Sequence, residues 1–414
     1  MTTFLQLAFL LSVILLSAKL AGFLSVRLGQ PSVLGELLVG ILLGPSLINI
    51  LHLPFIDHSL TEMIADLGEL GVLLLMFIAG QELHFDELRR NTRVAAFAGF
   101  LGVLFPVILG WGTGWLFGFH NDAAIFLGLT LGATSVSISA QTLLELRALR
   151  SRVGLGLLGA AVFDDILVIL FLSLFLALQG GSASILGLVW ILIRMLFFLA
   201  LSAAFGLWAL PWLMRRVADL PISQGVLTLA LVVMLAYGLA AELLGGMAAI
   251  TGSFLAGLMM ARSREKENVE HGIHALAYGL FVPIFFIHIG LSVNIREIQI
   301  GMFLFTIVVT LVAIVGKWLG AGIGARLGGL SNQEAIQLGA GMISRGEVGL
   351  IVASVGIQQG LVIAEEFSAI VAMVLISTLV TPPILRALFA HEKARLANLQ
   401  VAEGLADPRK EEME

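Results

Sequence analysis

The chain has 414 residues, of which 59% are hydrophobic and only 12% charged, with a mean hydropathy of +1.03. Soluble domains carry about 25% charged residues, so a water-soluble globular protein is excluded and an integral membrane protein is indicated. The absence of Cys excludes disulfide frameworks, thiolate metal sites and thiol catalysis, and a net charge of −5 carries no nucleic-acid signature.

A helix that crosses the hydrocarbon core needs about 20 apolar residues. On that measure the sequence predicts an all-α polytopic membrane protein with about 13 transmembrane helices, over 4–26, 32–51, 61–83, 94–118, 122–145, 153–178, 184–213, 223–243, 246–261, 272–293, 300–325, 332–358 and 365–388. The first span contains Lys19 and lacks a basic leader and a cleavage site, so it reads as a retained helix and not a signal peptide. The spans form one transmembrane domain over 1–390. A hydrophilic cytoplasmic tail at 391–414 leaves no room for a nucleotide-binding regulatory domain. Loops on one side carry Arg27, Arg89 to Arg93, Arg147 to Arg152, Arg215, Arg216, Arg262 and Arg326, whereas the other side carries only Arg296. By the positive-inside rule the N-terminus is outside and the C-terminus inside. Basic residues also fall within spans, at Lys19, Arg194, Lys317 and Arg345. Lys19 and Arg194 are expected to snorkel or pair near an interface.

The fifth span carries Gly132-Ala133-Thr134-Ser135-Val136-Ser137-Ile138-Ser139 at its centre. Two readings fit this run: a Ser/Thr packing face, or a discontinuous helix whose unwound turn offers oxygens at the midplane. The sixth span holds Asp164-Asp165 inside an otherwise uncharged apolar stretch. One ionisable group there costs roughly 2.5–3.5 kcal/mol on insertion scales, so an adjacent pair points to function. In the eleventh span Lys317 lies about 14 Å along the helix from Arg326, and Asp165 lies about 20 Å from Arg152, at 1.5 Å per residue. Similar depth predicts a buried Lys–Asp partnership. Gly316-Lys317 is no phosphate loop, because Leu311 stands where the first Gly is needed and Trp318 where Ser or Thr is needed. The twelfth span carries Gly341-Met342-Ile343-Ser344-Arg345-Gly346-Glu347, a second candidate interruption. Arg345 and Glu347 fit either a structural ion pair or direct ion contact. The fifth and twelfth spans are an odd number of spans apart, so spans four to six and eleven to thirteen can form inverted repeats with two crossing discontinuous helices.

Gly29-Gln30-Pro31-Ser32-Val33-Leu34-Gly35-Glu36, Leu43-Gly44-Pro45, Phe77-Ile78-Ala79-Gly80-Gln81-Glu82-Leu83, Ala133-Thr134-Ser135 and Ser344-Arg345-Gly346-Glu347-Val348-Gly349-Leu350 resemble the monovalent cation:proton antiporter-2 family in order and spacing over nearly the whole chain. Asp164-Asp165 resembles its two-aspartate sodium/proton branch. The resemblance implies an electrogenic antiporter of the bacterial cytoplasmic (inner) membrane that serves pH homeostasis. It also implies a homodimer among membrane lipids, with elevator-like movement of core helices at about 94–178 and 300–388 against a dimer scaffold. By the same resemblance Asp165 carries ion and proton, Asp164 pairs with Lys317, Thr134 and Ser135 line the unwound crossing, and Asp165 and Asp164 are the sodium ligands. No cofactor is implied, only transported Na⁺ or Li⁺ and H⁺. His288 departs from the family, which usually has an apolar or small residue there; it packs near the outer interface or senses pH.

A K⁺/H⁺ antiporter of the same family and a passive cation channel are the alternatives. An intramembrane aspartyl protease also has two buried Asp, but they must face each other from two helices, whereas adjacent residues on one helix diverge by about 100°.

Overall fold

The computed structural model describes residues 2–81, 91–179, 185–263, 265–292, 302–346, 349, 352–353, 356 and 360–405, and among them there is no strand. The helices are α1 (Thr3–Arg27), α2 (Ser32–Leu43), α3 (Ser59–Gln81), α4 (Thr92–Leu116), α5 (Asn121–Gly132), α6 (Val136–Glu145), α7 (Arg152–Gln179) and α8 (Ile185–Ala204). They continue as α9 (Leu210–Ala218), α10 (Gly225–Ala240), α11 (Ala249–Met260), α12 (Lys266–Leu276), α13 (Val282–Leu291), α14 (Phe303–Leu327), α15 (Asn332–Gly341) and α16 (Ala364–Leu405).

Among the described residues ten helical stretches are long and apolar enough to cross a membrane, and the chain is a multi-pass membrane protein. Two further apolar helices, α2 and α11, have only 12 residues each. At about 18 Å each is well short of a hydrocarbon core of about 30 Å. The predicted spans 32–51 and 246–261 therefore hold half-length helices. Gly44-Pro45 ends the first of them, and Gly246, in the left-handed region at φ 66°, precedes the second. Hydropathy alone does not register these stops, because the residues around them stay apolar. The predicted span 332–358 begins as α15, opened by a Ser331/Glu334 capping box, and unwinds after Gly341. At the far end α16 runs on past the membrane stretch into the predicted tail.

Among the described residues there are three wide π-turns: Phe205–Ala209 and Ala277–Phe281 each join two helices end to end, and Ala241–Gly245 closes α10. Two of them run into Pro211 and Pro283. Proline has no N–H to return to the preceding turn, so the ladder widens there and carbonyls are left over.

The helices pack in two groups. One comprises α4–α7 with α14, α15 and α16; the other comprises α1–α3 with α8–α13. Wherever a Cβ added to a described glycine would fall within 3.0 Å of another element, that element belongs to the same group. Gly320 and Gly324 of α14 lie against the carbonyls of Leu101 and Phe97 in α4, and Gly80 of α3 and Gly257 of α11 each lie against a carbonyl of the other helix. Between the groups runs a seam of side chains, with Met76, Val136, Leu158 and Phe254 among its apolar filling.

Candidate functional site

The sequence run at 133–135 is extended and separates α5 from α6, and residues 343–346 are likewise non-helical after α15. Glycine, serine and threonine there have side chains small or polar enough to serve opened backbone groups. The two interruptions bond to each other. The Ser135 N–H donates to the Ser344 carbonyl at 3.0 Å, and the Ser344 hydroxyl donates to the Ser135 carbonyl at 2.6 Å. Ser139 donates to the Gly341 carbonyl at 2.5 Å, and Thr378 of α16 donates to the Arg345 carbonyl. Gly346 lies so close to Ser135 that a Cβ would come within 2.6 Å of its side chain.

Against this crossing lies a buried charge pair. Lys317 of α14 is fully buried and Asp164 of α7 is 1% exposed; the ammonium donates to Asp164 Oδ1 at 2.5 Å and to the Gly132 carbonyl at 2.8 Å. Gly132 ends α5, so the cation also sits at the negative end of that helix dipole. Two oxygens, the other oxygen of that carboxylate, Asp164 Oδ2, and Thr134 Oγ1 two residues on from Gly132, are buried and accept no hydrogen bond from the described residues. Each such oxygen is costly unless something satisfies it. The Ser135 hydroxyl is 3.0 Å from that of Ser137.

Asp165 points the other way, into the seam, and is half-buried. Its Oδ2 accepts a hydrogen bond from the Thr251 hydroxyl of α11 at 2.7 Å. Sequence reasoning missed Thr251, which carries no charge; its one signal is the Thr251-Gly252-Ser253 run just after Gly245-Gly246. A cavity of about 10 Å³ holds Asp165 and Thr251 among apolar side chains including Ile250 and Val136. Ile250 also lines a larger cavity of about 230 Å³ that reaches Gly346 and contains Glu69, Glu242 and His288. His288 thus shares a cavity with two carboxylates.

Arg345 is fully buried, and its guanidinium donates to the carbonyls of Met342, Ile343 and Ala313 at 3.0–3.2 Å. Its expected partner Glu347 lies outside the described residues. Lys19 donates to the Tyr278 carbonyl, and Arg194 donates to those of Leu243 and Leu244, all three carbonyls within π-turns. Among the described residues no group of His, Asp and Glu has the makings of a multidentate metal site.

A helical membrane bundle in which two interrupted helices meet beside a buried ion pair is the architecture of a secondary transporter. The chain belongs to the family described as "Sodium/hydrogen exchanger, transmembrane", which it matches over residues 12–391. The probable Na(+)/H(+) antiporter GerT of Bacillus cereus is 43% identical over 92% of this chain and 99% of its own length. The Na(+)/H(+)-K(+) antiporter GerN of the same organism is 39% identical over 94% of this chain and 98% of its own length. In fold, the chain is similar to the sodium proton antiporter MjNhaP1 from Methanocaldococcus jannaschii, with a TM-score of 0.66 at 17% identity over 94% of this chain and 98% of that one.

Proposed function

We propose that this antiporter exchanges Na⁺, or Li⁺, for H⁺ across the bacterial cytoplasmic membrane, as an electrogenic member of the two-aspartate branch working by alternating access. The carrying observation is the set of buried oxygens at the crossing. Asp164 Oδ2 and Thr134 Oγ1 have no described donor, and Asp165 follows on the same helix. A hard monovalent cation takes oxygen ligands, and unwound helices at midplane are where transporters present them. In this reading Asp165 binds cation and proton in turn, Asp164 answers to Lys317, and Arg345 holds the second interruption open through its carbonyls.

The packing of the helices supports an elevator-like movement in which α4–α7 and α14–α16 travel against the other group. The reading includes 13 crossings counting the short and broken helices, inverted halves, a homodimer built on the second group, an external N-terminus and a role in pH homeostasis. K⁺ for H⁺ is the second reading, favoured by the K(+) in the printed name of GerN.

Asp165→Asn keeps the size of the side chain and removes its charge. In proteoliposomes with a pH-sensitive dye and each cation supplied alone, the variant should show no cation-driven proton movement while melting like the parent protein. Retained exchange by Asp165→Asn would overturn the assignment, and the cation that drives the parent protein decides between the two readings.

A further inference from the structure

Thr251 and Asp165 belong to different helix groups. Asp165 stands on α7, which packs with α4 and α15, and Thr251 stands in the first turn of α11, which packs with α3 and α10. Their 2.7 Å hydrogen bond therefore spans the seam, and it does so at the carboxylate taken above as the carrier. The donor is the hydroxyl and the acceptor is Oδ2, the kind of oxygen a cation would need. The charged groups near Asp165 include Asp164 on its own helix and, across it, Lys317, whose own neighbour is Arg345. The lining turned toward Asp165 from α3, α6 and α11 is apolar apart from Thr251: Met76, Val136, Ile250 and Phe254. Glu69, Glu242 and His288 line the larger cavity, with Ile250 common to both spaces.

We propose that Thr251 is a positioning residue for the exchange: its hydroxyl pins the empty, ionised Asp165 to the helix group that stays still, and yields only when a cation or a proton claims the oxygen. This rests on the reading of Asp165 as the carrier. The physical need is plain. An empty carboxylate that crossed the membrane unloaded would let cation pass without its counter-ion. A hydrogen bond to a charged group shifts an equilibrium by about tenfold or more, enough to favour the held state over the released one. Because the same hydroxyl competes with the cation for Oδ2, removing it should tighten cation binding while loosening coupling. A residue that merely filled space would do neither.

The test uses full-length protein in proteoliposomes, at equal buffered pH on both sides and with the membrane potential clamped by K⁺ and valinomycin. Radioactive sodium leaving and protons entering are counted together. Thr251→Val, which replaces the hydroxyl by a methyl at constant volume, should lower the half-saturating Na⁺ concentration about tenfold and raise the sodium lost per proton gained. Thr251→Ser, which keeps the hydroxyl, should restore both. Should Thr251→Val melt early, Thr251→Ala, which removes the hydroxyl together with the γ-methyl, supplies the comparison. A raised half-saturating concentration would make the hydroxyl a cation ligand and overturn the proposal, as would an unchanged coupling ratio or a Ser variant that behaves like Val. If Asp165→Asn still exchanges ions, the underlying reading fails. If Asp165→Asn is inactive and Thr251→Val is unaltered, only the role of Thr251 fails.

Discussion

Lys317 carries the charge balance of the proposed cycle. One Na⁺ exchanged for one H⁺ at Asp165 moves no net charge, so an electrogenic exchange needs a second group that changes its proton count. With Na⁺ beside Asp165, Asp164 can turn its free Oδ2 toward the ion, and the fully buried Lys317 then loses its counter-charge. An unpaired charge in that position is worth several kcal/mol of destabilisation, and shedding the proton removes it. Lys317→Gln should keep part of the cation-driven exchange seen by dye in vesicles, while the transport current on a supported membrane falls to background. Undiminished current per ion exchanged would move the second proton to Asp164. The meeting of Lys317 with Asp164 could be read from the sequence, because charges in an apolar span are few and depth along two helices is simple arithmetic. Thr251 could not. Its one trace, the Thr251-Gly252-Ser253 run, does not point to Asp165 until the helix that faces it is known.

At the scale of helices, four of the interruptions come with a cation. Lys19 and Arg194 serve carbonyls of two π-turns, Lys317 serves the end of α5, and Arg345 serves the open stretch after α15. A carbonyl freed inside a membrane needs a donor, and a long basic side chain brings one from a neighbouring helix. The four basic residues left within the predicted spans were therefore markers of broken helices, a meaning the sequence did not reveal because a basic residue in an apolar span reads equally well as one that snorkels to an interface. The breaks at 133–135 and 343–346 were legible from their Gly, Ser and Thr; the half-length α2 and α11 were not. Where the two breaks meet, contact is tight. Gly346→Ala would set a methyl within 2.6 Å of Ser135, and overpacking of this kind costs about 1–3 kcal/mol. The purified variant should melt several degrees earlier, and adding Ser135→Gly should recover most of the loss. Equal melting of Gly346→Ala and the parent protein would mean that the crossing is looser than the structure has it.

For the molecule as a whole, the two helix groups differ from the seam between them in how they are held. Backbones touch through glycine inside each group, whereas across the seam the contacts are side chains and a few polar bonds, among them Ser32 of α2 to Glu145 of α6 and Tyr278 to Gln141 at 3.1 Å. Such a division suits rigid bodies that move against each other. It was only partly visible in the sequence: the position of the broken spans pointed to α4–α7 and α14–α16, but no residue pattern announced where glycines would interlock. The proposed orientation rests on charge: Arg296 is the lone basic loop residue on one predicted side. If the C-terminus is inside as proposed, a phosphatase reporter fused after Glu414 should be silent and a fluorescent protein fused there bright. An active phosphatase at that position would mean an odd number of miscounted crossings.

The two bonds made by the Lys317 ammonium have a further consequence for speed. An ammonium has three N–H bonds, and two of them are spent here, on Gly132 and on Asp164. The neutral amine keeps two N–H bonds and gains a lone pair. Loss of the third proton therefore leaves the end of α5 capped and asks neither α5 nor α14 to rotate. In the proposed cycle, once Asp164 has turned toward the cation, the proton step at Lys317 is set by how fast water or a carboxylate can deliver and remove the proton, and not by a rearrangement of α5 or α14.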